Sequence, residues 1–298
     1  MKRLLIYVLI VLMAFTPIAD ADGETSEHRI YASAAPTFAL TEGLLRSADG
    51  FSVHQLVQPQ LDCIRLYELS DWDIVQLSSA EVCIIWGKLE SFSDTLTQAE
   101  TGPAVIAIAD DNAEYTLSDE LVDYDYYEHF SGENPNSYMS LSHMKIALDS
   151  LYHSLCELYP DSAETFTVNY ERMVKLMDEA SLQLTGLNDG IKHEAVAALF
   201  EGAPYILDEV GIEWQYIYPR ELASDVNGED LTEMLERLNE SGVQAVLIEQ
   251  QAPTTLKRAL SDAGYTVRQV STLTTLNKPT LEEYIDVIVS NAHAAIGQ

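Results

Sequence analysis

The amino-acid sequence reads as an α/β protein of two lobes, joined by a long connecting helix, with a ligand cleft between them. Three observations lead there. Short apolar runs of strand length alternate with helical patterns on both sides of the chain's middle, and strands of that kind imply parallel sheets covered on both faces. Between the two series lies one helical pattern, Ala163 to Leu187, which no Pro or Gly interrupts until Gly186. The length, 298 residues, suits about two domains. The expected organisation is a signal segment at 1–21, an N-terminal lobe at 24–160, the connecting helix at 163–187 and a C-terminal lobe at 190–298.

Taken in order, Ile30–Ala34 is a strand, Pro36–Arg46 a helix and Phe51–Val57 the next strand. Ser70-Asp71-Trp72-Asp73 has the S-x-x-D form of a helix start, with Ile74, Val75 and Leu77 as its apolar side. Val82–Trp86 and Ala104–Ala109 complete the first set of strands. Residues 110–137 are polar and rich in Tyr and Asp, with no clear period. A helix follows, carrying Met144, Ala147, Leu148, Leu151 and Leu155 at helical spacing. The second half has strands at Val196–Phe200, Val243–Ile248 and Tyr265–Val270, and helices at Asp230–Asn239 and Pro253–Ala263, the latter closed by Gly264. Pro279-Thr280-Leu281-Glu282-Glu283 is a capping-box start to a terminal helix reaching about Ala295.

The N-terminus states the compartment. Lys2 and Arg3 precede twelve unbroken apolar residues, Leu4 to Phe15, and Ala19-Asp20-Ala21 fits an A-x-A cleavage site. The apolar run falls short of the ~20 residues that span a bilayer, so a cleaved secretory signal is expected, with an uncleaved anchor as the alternative. Cleavage removes Lys2, Arg3 and Asp20, a net +1, and takes the formal charge from −32 to −33. Such an acidic chain is unsuited to nucleic acid, where Lys and Arg must neutralise phosphates, and to anionic lipid. Three cysteines make no disulfide framework, and none has the C-x-x-C spacing of a zinc or redox motif. Cys83 lies in an apolar run as a core thiol.

No catalytic signature emerges. The chain lacks G-x-S-x-G, H-E-x-x-H, the phosphate-cradling G-x-x-x-x-G-K-[ST] and G-x-G-x-x-G. Its seven histidines are scattered, and carboxylates are too abundant for any pair to signal acid–base work. A secreted hydrolase with an unrecognised site remains the alternative from another class.

A more specific pattern lies in the order of segments. Ile64-Arg65-Leu66-Tyr67-Glu68-Leu69-Ser70-Asp71-Trp72-Asp73 is followed by Leu77-Ser78-Ser79-Ala80-Glu81 and by Ile84-Ile85-Trp86-Gly87-Lys88-Leu89-Glu90. Then come Glu133-Asn134-Pro135-Asn136-Ser137-Tyr138-Met139-Ser140-Leu141, Tyr159-Pro160, Asn169-Tyr170, Phe200-Glu201-Gly202-Ala203 and a late strand from Gly242-Val243 to Ile248-Glu249. Over nearly its whole mature length the chain resembles the solute-binding receptors of the zinc/manganese ABC-transporter family. The resemblance implies an extracytoplasmic protein that captures Zn2+ or Mn2+ between two lobes and delivers it to a membrane permease. It implies a binding protein and not an enzyme, and a monomer is expected.

Carried over position by position, the family's four metal ligands fall on Arg65, Asn136, Glu201 and Ser271. The family has His at the first two, His or Glu at the third and Asp or Glu at the fourth, so Glu201 alone keeps a strong ligand type. Zinc favours imidazole or thiolate, whereas a guanidinium offers five donors, no acceptor and a fixed positive charge. The expectation is therefore an altered metal site, inactive or weakened, with Arg65 reaching into the cleft toward Glu201. The runner-up is the same receptor fold holding a small anion, an organic solute or no ligand.

Overall fold

The computed structural model describes residues 27–59, 64–98, 102–109, 116–117, 132–187, 194–216 and 228–298. The secretion signal read at 1–21 lies outside the described residues, as do Cys63 and most of the 110–137 stretch.

Two separate parallel sheets form. The first contains β1 (His28–Ala32), β2 (Phe51–Gln55), β3 (Val82–Ile85) and β4 (Ala104–Ala107), in the order β2-β1-β3-β4. A short antiparallel pair, β5 (Thr116–Leu117) with β6 (Gly132–Glu133), stands apart. The second sheet contains β7 (Val196–Ala198), β8 (Trp214–Tyr216), β9 (Ala245–Glu249) and β10 (Thr266–Val270), in the order β10-β9-β7-β8. In the first sheet the chain reverses its direction of winding between β1 and β3, and in the second between β7 and β9. Crevices beyond the carboxyl ends of strands at such reversals are where open α/β sheets hold ligands.

The central strands β3 and β9 are buried at every residue, as a sheet covered on both faces requires. The covering helices are α1 (Ala35–Leu45), α2 (Asp71–Leu77), α3 (Ser93–Thr97), α4 (Leu141–Leu158), α5 (Ala163–Leu187), α6 (Ala203–Glu209), α7 (Gly228–Ser241), α8 (Thr254–Asp262) and α9 (Leu281–Ile296). Among the described residues, no helix is long and apolar enough to cross a membrane.

The connecting helix α5 buries one stripe, Phe166, Asn169, Met173, Met177, Ala180 and Leu184. Its apolar members belong to a cluster shared by both halves, running from Ile30 and Ile84 to Val196, Leu247 and Tyr284. Asn169 is the polar member: its Nδ2 donates to the carbonyls of Leu44 (2.9 Å) and Arg46 (2.7 Å), groups at the end of α1 that have no partner within the helix. Two smaller clusters back the outer faces. Tyr31, Cys83, Phe92 and Leu96 pack on one sheet, and Met234, Leu238, Val246 and Leu260 on the other. Burial pushes the Cys83 thiol up to about 12, so it stays protonated and inert.

Several expectations shift. Helix α2 does not bury Ile74 and Val75; both are about half exposed, Trp72 is more so, and Asp73 and Leu77 face inward instead. The cause is polar. Asp73 Oδ2 accepts from the Ser70 amide (2.8 Å), the Ser70 hydroxyl (2.6 Å) and the Tyr67 hydroxyl (2.6 Å), and this cap turns the carboxylate inward. Strand β8 and helices α3 and α6 are elements the apolar pattern did not announce. Phe51–Val57 shortens to β2, and Val196–Phe200 to β7, with Leu199 and Phe200 leading into a turn. At the C-terminus, Thr280 and Glu283 do form the reciprocal capping box of α9.

Beyond the end of β3, Glu90 is almost wholly buried and accepts from the Ser33 hydroxyl and from the amides of Trp86 (3.0 Å) and Gly87 (2.9 Å). Burial raises its carboxyl above the ordinary range, opposed by those hydrogen bonds. A carboxyl raised on folding favours the folded state only while protonated. That contribution is complete below the unfolded value, roughly pH 4–5, and is lost as pH climbs through the folded value. In denaturant melts from about pH 4 to about pH 8, wild type should lose stability relative to Glu90→Gln as pH rises. Parallel curves would sink this assignment.

Candidate functional site

Segments that follow strands of both sheets build one polar cleft. After β2 the chain makes a tight turn, Ile64–Leu66, which carries Arg65. Beyond β7 it turns at once through Phe200-Glu201-Gly202 into α6. A second tight turn, Asn136–Met139, leads into α4 and is fastened to the first sheet by Trp86, whose Nε1 donates to Ser137 Oγ at 3.0 Å.

Arg65 Nη1 donates to Glu201 Oε2 at 2.6 Å, and the two side chains are 9% and 4% exposed. At that depth a carboxylate must be paired or neutralised, and guanidinium matches it in charge and shape. Asn136 comes to the same oxygen, its Nδ2 3.5 Å from Glu201 Oε2. Its own position is set on three sides. Asn134 Oδ1 accepts from the Asn136 amide (3.1 Å) and from its Nδ2 (2.9 Å), while Asn136 Oδ1 accepts from the Tyr138 hydroxyl (3.2 Å). Asn134 then crosses to the other half, donating from Nδ2 to the Glu201 carbonyl at 2.6 Å, and Tyr205 on α6 returns a bond to the Asn134 carbonyl at 2.7 Å.

Ser271 is elsewhere. Its amide and carbonyl are both held by the Asn291 side chain (2.8 Å each), and its hydroxyl accepts from the Leu273 amide (3.2 Å). Its neighbours Thr272 and Thr274 line the cleft in its stead. The cleft narrows to a cavity of about 20 Å3, lined also by Asn136, Tyr138, Glu201 and Glu249. That is room for a water or one small ion. Glu249, buried at the end of β9, is a second carboxylate on this cavity; its place at the end of the late strand was the only sequence signal for it.

The donor set is poor for a transition-metal cation. One carboxylate oxygen already takes Arg65, the Asn136 oxygen already takes Tyr138, and no imidazole or thiolate from the described residues lines the cavity. Among the described residues no three His, Cys, Asp or Glu side chains converge as a metal site would require. His129 and His193 lie outside the described residues.

The family model for ZnuA, zinc-uptake complex component A, periplasmic, matches residues 30–295. No curated protein sequence matches. The fold is that of several solved structures. The SBP FpvC in complex with Ni2+, from Pseudomonas aeruginosa, is 16% identical with a TM-score of 0.73, covering 90% of this chain and 96% of its own. A Mn-bound mutant of a periplasmic metal binding protein from Candidatus Liberibacter asiaticus is 16% identical with a TM-score of 0.72, covering 90% and 98%. Zn(II)-bound AdcA from Streptococcus pneumoniae is 15% identical with a TM-score of 0.73, covering 91% of this chain and 58% of AdcA.

Proposed function

Because this chain belongs to the family of periplasmic component A of zinc-uptake complexes, we propose that it is an extracytoplasmic receptor of a metal-type ABC transporter whose cation position is filled by its own Arg65. The 2.6 Å contact between Arg65 and Glu201 carries this reading. A guanidinium at that oxygen supplies the positive charge a metal would bring and blocks the approach of one. The chain is read as a carrier and not an enzyme, exported by residues 1–21, monomeric, with lobes at 24–160 and 190–298 and a membrane permease as partner. The bound forms of the neighbours FpvC and AdcA, with Ni2+ and Zn(II), make transition metals the cargo to test first.

Titration calorimetry with Zn2+ and Mn2+, together with elemental analysis of natively purified protein, tests the proposal. Wild type should show no tight site. Arg65→His, which exchanges a fixed cation for an imidazole donor, should gain measurable affinity. One tight stoichiometric site in wild type, abolished by Glu201→Gln, would overturn it.

A further inference from the structure

The segment between β10 and α9 combines three features. Its backbone is held in unfavourable conformations, it lines the cleft, and a side chain from the other half fastens it. Leu273 has φ 67° and Lys278 φ 47°; with Ser47 they are the non-glycine residues of positive φ among the described residues. At Leu273 the Thr274 amide donates to the Thr272 carbonyl at 2.8 Å, which with that φ makes the rare, strained form of γ-turn. This turn aims Thr272 and Thr274 at the cavity. Strained backbone persists only where its surroundings over-determine it, and it gathers at clamps and switches.

What holds the segment is asymmetric. Its first residue, Ser271, is pinned to α9 by Asn291, and Thr280 at its far end is fixed as the cap of α9. Between those points Gln251 Nε2, from the segment's own half, donates to Thr272 Oγ1 at 2.6 Å, and Leu273 is buried in the core. The Leu276–Lys278 end is fastened from the first sheet. Gln55, the buried last residue of β2, accepts from the Lys278 amide at 2.7 Å through Oε1. Its Nε2 donates to the carbonyls of Leu276 (3.3 Å) and Val57 (3.0 Å). One amide side chain of the first sheet thus holds the Leu276–Lys278 end of a strained loop belonging to the other half.

We propose that residues 271–279 are an interlobe strap latched by Gln55, and that its release opens the cavity. Once Gln55 lets go, Leu273 and Lys278 relax toward ordinary backbone conformations, and Thr272 and Thr274 withdraw from the cleft. Gln55 is a positioning residue: it touches the strap and not the cavity. The proposal is independent of whether Arg65 stands in for a cation.

Hydrogen–deuterium exchange read by mass spectrometry on the whole protein provides the test, with Gln55→Leu as the variant. The amides of Leu273, Thr274, Leu276 and Lys278 are all hydrogen-bonded in the closed strap. Peptides spanning 272–278 should exchange about tenfold faster in the variant, while β7 and β9 keep wild-type protection. If Gln55→Leu does not fold, Gln55→Glu, which keeps the acceptor for Lys278 but loses both donated bonds, should give the same local increase. Unchanged exchange at 272–278, or a rise shared equally by both sheets, would overturn the proposal.

Discussion

Arg65→Ala should destabilise the protein by about 3–5 kcal/mol, the range for removing one partner of a buried ion pair. The intact pair need not contribute much, since desolvating both charges offsets their attraction. The loss arises because Glu201 stays buried while its Oε2 loses the guanidinium. For a chain of this size the effect corresponds to a fall in melting temperature of roughly 10 °C. Pairing the change with Glu201→Gln should recover much of the loss, because the buried negative charge that Arg65 faced is then gone. Chemical denaturation of the two single variants and the double variant measures this directly. If Arg65→Ala lies within about 1 kcal/mol of wild type, the pair is not holding the cleft together.

Gly202→Ala should cost about 1–3 kcal/mol by overpacking, and it should loosen the cleft in particular. The backbone there, φ −77° and ψ −11°, suits any residue, so the penalty is purely one of space. An added Cβ would sit 2.2 Å from Met139 Sδ and 3.1 Å from Phe200 Cε2, with Asn136 Cβ at 3.6 Å. Met139 is buried in the turn that carries Asn136, so its thioether must be displaced against close-packed neighbours beside the turn that sets Asn136 against Glu201. Adding Met139→Ala should return part of the stability by making room. Wild-type stability in Gly202→Ala, measured by the same denaturation, would mean that the thioether rotates aside freely.

The long elements were legible in the sequence because they repeat a signal many times. Helix α5 spans Ala163–Leu187, where its period begins and ends, and the capping box of α9 stands openly in Thr280 and Glu283. Helices α3 and α6 and strand β8 have 5, 7 and 3 residues, too few to establish a period, and their positions are set by what they pack against. At α2 the apolar letters misled, because a three-donor cap on Asp73 outweighed the burial of Ile74 and Val75. In the cleft, Arg65, Asn136 and Glu201 were named from the order of motifs, and the structure brings their side chains to one carboxylate oxygen. Ser271 was named on the same ground but is turned toward α9, one residue from the Thr272 that lines the cavity. That displacement depends on a positive φ at a leucine, which no residue type announces. Gln55 left no trace either, since its partners in the strap are backbone groups more than two hundred residues away.

If Arg65 fills the cation position as proposed, its bond to Glu201 also alters the mass action of the cleft. A free metal ion occupies a carboxylate according to its concentration, and a chelator or a competing ion can empty the site. A guanidinium attached to the same chain is present at a fixed effective concentration, set by the geometry of the turn that carries it. On that proposal its occupancy would follow no binding isotherm, would be indifferent to chelators and would not change when the protein is diluted. Such a closure would report on the integrity of the fold and would be blind to how much metal surrounds the molecule.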